Sequence, residues 1–149
     1  MPQNSAIIRA LCMLIASMLI HSSAPAADGV PPQLYELVTE TVMPHLEENL
    51  RYATTREQRC LDQQELWAAF PVLHQPALKD CRLDQTSHQQ DAMSYALVCE
   101  GGHGTTGHAT WQLASKQSTG TLYVKLGAKN MTFYQRVTAR ALGACASAG

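Results

Sequence analysis

Four cysteines constrain this chain more than any other feature. Cys60, Cys81, Cys99 and Cys145 all lie downstream of a segment that reads as a signal peptide. An even set of cysteines in a short exported chain is the pattern of a disulfide framework, because a small domain buries too little apolar surface to hold itself together comfortably. Two bridges are expected, and four cysteines allow three pairings. No two of them are spaced Cys-x-x-Cys, so nothing points to a thiol oxidoreductase.

Export is read from "MPQNSAIIRALCMLIASMLIHSSAPAADGV". Arg9 is the one charge in residues 1–26 and precedes the apolar run Ala10–Ile20. That run is long enough for a signal-peptide core and too short to cross a bilayer. Ala24 and Ala26 then supply the small residues of a cleavage site, so residues 1–26 are expected to be removed. Cys12 sits inside the apolar core rather than just after it, which argues against a lipoprotein. The expected product is a single periplasmic domain, residues 27–149, that is not an integral membrane protein after cleavage. Eleven Lys and Arg stand against twelve Asp and Glu, a formal net charge of −1. With no basic patch, nucleic acid is not an expected partner.

Hydrophobic patterning along residues 27–149 is mostly of period two, the signature of strands with one covered face. Pro31 and Pro32 keep the start extended. "LYELVTETVM" alternates with a mixed apolar face, and "LRYATTREQRC" reads as a second strand. "LKDCRLDQTS" and "AMSYALVCEG" flank the polar turn "HQQD", with Tyr95, Leu97 and Cys99 on one face. In "GHATWQLASK", Ala109, Trp111 and Leu113 share a face. "GTLYVKLGA" sets Leu122, Val124 and Leu126 opposite Tyr123 and Lys125. "MTFYQRVTARAL" sets Met131, Phe133, Val137, Ala139 and Ala141 opposite Thr132, Tyr134, Arg136, Thr138 and Arg140.

One helix interrupts the strands. In "LDQQELWAAFP", Asp62 is placed to cap and Glu65 to complete a capping box; Leu66, Trp67 and Phe70 fall at helical spacing, and Pro71 ends the element. Trp67 and Phe70 read as core residues rather than as a ligand platform. The expected fold is therefore mainly β (α+β): a curved antiparallel meander of six to seven strands packed on one short helix, with two disulfides.

The order of short motifs resembles a known family. "QRCL" at Gln58–Leu61 precedes the helix, "LKDCRL" supplies the second cysteine, "SYALVCEGG" ends a strand with the third, and "ARALGAC" ends the domain with the fourth. This order is similar to that of DUF3617, a family of small exported bacterial proteins whose function is unknown. Its members open on a Pro-Gly-Leu-Trp-Glu-like strand and close on Arg-x-Leu-Gly-x-Cys. The opening "PPQLYE" departs from the pattern, with Gln33 and Tyr35 where Gly and Trp are usual. The resemblance spans about Gln33 to Cys145. It implies export, disulfides and a β-rich fold, and it carries over no catalytic residue.

Among the three pairings, Cys60 with Cys81 and Cys99 with Cys145 is the one expected. The first would join the start of the helical segment to the next strand, and the second would tie a middle strand to the last.

"CEGGHGTTGHATW", from Cys99 to Trp111, is the one stretch that invites a site. A zinc site built on Cys99, His103 and His108 would need a free thiolate and a fourth ligand. A phosphate loop would need a lysine and a following helix, and a strand follows instead. Glycines between two alternating strands are better explained as a turn. His45, His74 and His88 are read as scattered over loops and turns, and Glu47 and Glu48 as solvent-facing neighbours. No catalytic, cofactor-binding or metal-binding residue is therefore assigned, and no cofactor is expected. The expected role is a non-enzymatic envelope protein that binds a partner protein or a small apolar ligand on its sheet. The alternative is a periplasmic metal-binding protein using His103 and His108.

Overall fold

The computed structural model describes residues 30–44, 52–101, 104–127 and 131–146. The expected signal segment, His45, Glu47, Glu48 and His103 lie outside the described residues. Seven strands form one antiparallel sheet: β1 (Gln33–Val42), β2 (Tyr52–Leu61), β3 (Cys81–Gln89), β4 (Ala92–Cys99), β5 (Thr106–Gln112), β6 (Gln117–Leu126) and β7 (Met131–Ala144). Their order across the sheet is β2-β1-β7-β6-β5-β4-β3. From β3 to β7 the sheet is a simple meander. The N-terminal hairpin then adds to its far side, with β1 between β2 and β7. The sheet stays open, with β2 and β3 at its two edges.

Alternation divides the sheet into two faces. On the inner face stand Leu37 of β1, Val137 of β7, Leu122 and Val124 of β6, Trp111 of β5 and Tyr95 of β4, each at least nine-tenths buried. The segment between β2 and β3 covers this face and contributes Leu66, Phe70, Val72 and Leu78 to the same core. Each large apolar side chain so buried stabilises the fold by roughly 1.5–3 kcal/mol.

The covering segment begins with the expected capping box. The Glu65 amide donates to Asp62 Oδ1 at 2.8 Å, and the Asp62 amide donates to Glu65 Oε2 at 2.9 Å. The helix, α1, is shorter than the sequence pattern suggests and covers only Gln63–Trp67. Pro71 does not end it. Instead, Pro71 opens a 3-10 turn, Pro71–His74, and Pro76 opens another, Pro76–Leu78. A proline at a first helical position loses no bond, since that N–H has no intrahelical partner.

Trp111 is the centre of the core. It is fully buried, its Nε1 donates to the Trp67 carbonyl at 3.1 Å, and the rings of Trp67 and Phe70 each lie 5.5 Å from it. Thr39 and Gln135 are the buried polar residues of the inner face among the described residues, and Gln135 is the one that bridges elements. It is 5 % exposed, and both ends of its amide are satisfied. Its Oε1 accepts from the Val72 amide at 3.1 Å and its Nε2 donates to Thr41 Oγ1 at 2.8 Å, tying β7 to β1 and to the covering segment.

The disulfides differ from the expected pairing: they join Cys60 to Cys145 and Cys81 to Cys99. The register of the β3–β4 hairpin explains the second, because it sets Cys81 directly opposite Cys99, with Cα atoms 3.9 Å apart. The expected Cys99–Cys145 bridge would tie a middle strand to the last, but β5 and β6 separate β4 from β7. The ends of β2 and β7, by contrast, both arrive at the start of β1, where Gln33 faces Leu61 on one side and Ala144 on the other. There the Cα atoms of Cys60 and Cys145 lie 5.7 Å apart. The hairpin also corrects the expected "HQQD" turn. His88 and Gln89 belong to β3, and the turn is confined to Gln90 and Asp91.

Candidate functional site

The motifs at the two ends of the domain meet at one corner of the sheet. Glu36 of β1 faces Arg140 of β7, whose Nη2 donates to Glu36 Oε1 at 2.9 Å, while Arg56 of β2 donates to Oε2 at 3.4 Å. Both carboxylate oxygens are thus engaged by arginine. With the two guanidiniums more than half exposed, the pairs contribute about 0.2–1 kcal/mol each. Beside them, Gly143 adopts φ +137°, and the β1–β7 register shifts between Leu34 and Tyr35, so that Leu142 is the extra residue of a bulge. The bulge bends the end of β7 where Cys145 reaches Cys60. This corner is a clasp: its charges and its disulfide hold chain ends together.

The glycine-rich stretch is a connection between β4 and β5. Gly101 and Gly104 have φ of +94° and +70°, a region that glycine enters without strain. Gly107 lies in β5, where an added Cβ would meet the Tyr123 carbonyl oxygen. Cys99 is bridged to Cys81 and so is not a thiolate ligand. His108 is exposed on β5, and its ring lies 5.4 Å from that of Tyr123. Among the described residues, no group of three or more His, Cys, Asp or Glu is placed to hold a metal ion.

The two faces of the sheet differ in what they offer a partner. The covered inner face leaves a groove of about 260 Å³ beside α1, lined by Trp67, Leu83, Gln85 and Tyr95. Burial pushes the Tyr95 phenol above its ordinary pKa of 10.0. The outer face is open, and aromatic side chains cross it in register. His108 of β5 faces Tyr123 of β6, Tyr123 faces Tyr134 of β7, Tyr134 faces Val42 of β1, and Val42 faces Tyr52 of β2. The row crosses five strands. Tyr52, Tyr123 and Tyr134 are 65 %, 37 % and 40 % exposed, so a substantial part of each ring is available to solvent.

A second row runs parallel to it, two residues along each strand: Thr54, Glu40, Arg136, Thr121 and Thr110. Where Val42 stands in place of a ring, a slot of about 270 Å³ opens between Tyr52 and Tyr134, with Glu40, Thr54 and Arg136 also lining it. The sequence pattern places Tyr123 and Tyr134 on the polar side of their strands but does not join them to Tyr52 and His108. Only the strand order and register do that. Among the described residues, no helix is long and apolar enough to cross a membrane.

The two disulfides accord with an oxidising, extracytoplasmic location, since such bridges persist there and are rare in a reducing cytosol. No curated protein and no solved structure matches the chain. A family model does match it, over residues 30–145, nearly all of the region downstream of the expected signal peptide. That match takes in the opening strand, the cysteine motifs and the closing clasp, and on it the chain belongs to DUF3617, a family of proteins of unknown function.

Proposed function

We propose that this protein is a non-enzymatic periplasmic binding protein that meets its ligand on the outer face of the sheet. The observation that carries the reading is the row of exposed rings, His108, Tyr123, Tyr134 and Tyr52, aligned across five strands. Exposed aromatic side chains gathered on one face are characteristic of a contact surface, because they bury a large area at little cost in side-chain entropy. The inner face is less suited to this role, since the chain's own segment covers it. Chemistry by a free thiol is not supported either, because Cys60, Cys81, Cys99 and Cys145 are all bridged.

Hydroxyl-radical footprinting of the exported protein, with and without envelope extract, tests the reading. Tyr52, Tyr123 and Tyr134 are expected to lose reactivity in extract, while exposed residues at the β3 edge keep theirs. Equal reactivity of the three tyrosines in extract and in buffer would refute it.

A further inference from the structure

The aromatic row is interrupted at one place, between Tyr134 and Tyr52. His108 and Tyr123, on adjacent strands, lie with ring centroids 5.4 Å apart and planes inclined by 30°. Adjacent strands are about 4.8 Å apart, so neighbouring rings can stand nearly face to face. Tyr134 and Tyr52 are two strands apart, roughly 10 Å, and β1 contributes Val42 between them. The interval is the 270 Å³ slot. It lies just below the usual range of small-molecule pockets, a size that suits one ring.

Hydrogen-bonding groups of both senses border the slot. Glu40 supplies an acceptor, Arg136 a donor and Thr54 a hydroxyl, all in the row beside the rings. One acidic and one basic group face each other there, so the slot selects for neither a cation nor an anion. The ligand that answers both rows is a neutral ring with apolar faces and hydroxylated edges. A pyranose has this form: its C–H faces lie against aromatic rings and its equatorial hydroxyls project sideways. A ring seated in the slot keeps its faces toward Tyr52 and Tyr134 and its hydroxyls toward Glu40, Thr54 and Arg136. A β-linked chain extends in the plane of its rings, so the sugars on either side of a seated ring leave along the strands rather than along the aromatic row.

We propose that the Tyr52–Tyr134 slot binds one pyranose ring of a neutral β-linked glycan. This rests on the outer face being the binding face, and it names the ligand class for that face.

The test is titration of the exported, oxidised protein with chitotetraose and with cellotetraose, followed by NMR. At least one glycan should saturate, with shifts centred on Val42, Tyr52 and Tyr134. Tyr134→Ala should weaken it at least tenfold, and so should Val42→Phe, which fills the slot while leaving both tyrosines in place. All these positions are on the outer face, and unchanged far-ultraviolet circular dichroism with a cooperative urea transition will confirm that the variants fold. Three results would overturn the proposal: no saturation by either glycan below a dissociation constant of about 10 mM; binding that Val42→Phe leaves intact; or free indole occupying the slot more tightly than either glycan. Each of these leaves the footprinting result, and with it the binding face, standing or falling on its own.

Discussion

The indole of Trp111 occupies the space in which a side chain of Gly120 would stand. The two residues are direct cross-strand partners on β5 and β6, and a Cβ added to Gly120 would come within 2.6 Å of Trp111 Cε2 and Cζ2. Nothing smaller than glycine exists, so the seat of the core's largest side chain depends on a missing one. Gly120→Ala is expected to destabilise the domain by about 1–3 kcal/mol through overpacking. Thr110→Ala, on the open face of β5, should stay within about 0.5 kcal/mol of the parent. Urea unfolding measures both, and equal midpoints for the two variants would refute the argument.

Gln135 offers a second test, because its amide has two partners on two different elements. Gln135→Leu leaves the Val72 amide and the Thr41 hydroxyl without it, and a loss of about 1–3 kcal/mol is expected. Thr41→Val removes one of those partners. Since the two residues share a bond, the double variant should lose less than the two single variants combined. Strict additivity of the unfolding free energies would show that the bond between them contributes nothing.

Tyr95 makes stability depend on alkaline pH. Burial raises its pKa in the folded state above 10.0, while in the unfolded chain it keeps its ordinary value. Below about pH 10 both states hold the proton, and its contribution is constant. Above that, the unfolded chain loses the proton first and is favoured, so stability falls as pH rises towards the folded pKa. Tyr95→Phe removes this component. Between pH 8 and about pH 11 the parent should lose more stability than Tyr95→Phe does, as measured by urea unfolding at each pH. Identical losses would count against the burial argument.

The strands from β4 to β7 were legible in the sequence because each carries its own period-two signal: Leu122 and Val124 against Tyr123, or Ala109 and Trp111 against His108. The number of strands, the capping box at Asp62 and Glu65, and the turn role of the glycine stretch follow from similarly local features. Long-range pairing was not legible. The insertion of β1 between β2 and β7 joins residues about a hundred apart, and nothing local marks it. The clasp between Cys60 and Cys145 depends on that insertion, which is why the expected pairing failed.

The Cys81–Cys99 bridge was legible only to within one residue of register. The two strands of the hairpin are marked by their pattern, but counting outward from the turn at Gln90 and Asp91 sets Cys99 opposite Arg82; only the register shift between Gln85 and Ser87 brings Cys81 opposite it. Gln135 was passed over because a polar residue within an apolar face carries no signal until its partners are known. The aromatic row was missed for the same reason as the clasp, since its members are neighbours only through register.

The clasp yields the last prediction. Cys60–Cys145 closes a loop of 85 residues and Cys81–Cys99 one of 18. On chain entropy alone these are worth about 4.5 and about 3 kcal/mol, so Cys60→Ala with Cys145→Ala should cost more than the corresponding change at Cys81 and Cys99. Gly143 contributes through this bridge. At φ +137° a side chain is strained although nothing stands within 4 Å of where its Cβ would be. Gly143→Ala should therefore cost about 1–3 kcal/mol by conformation alone. In the intact protein the bridge fixes the end of β7, and the strain has no outlet. Without the bridge, the chain beyond Leu142 is free to relax away from β1. Gly143→Ala should then cost measurably less in the Cys60→Ala/Cys145→Ala background than in the parent. A thermodynamic cycle of these variants decides it. An equal cost in both backgrounds would show that Gly143 serves the β1–β7 bulge for its own sake and not the delivery of Cys145 to Cys60.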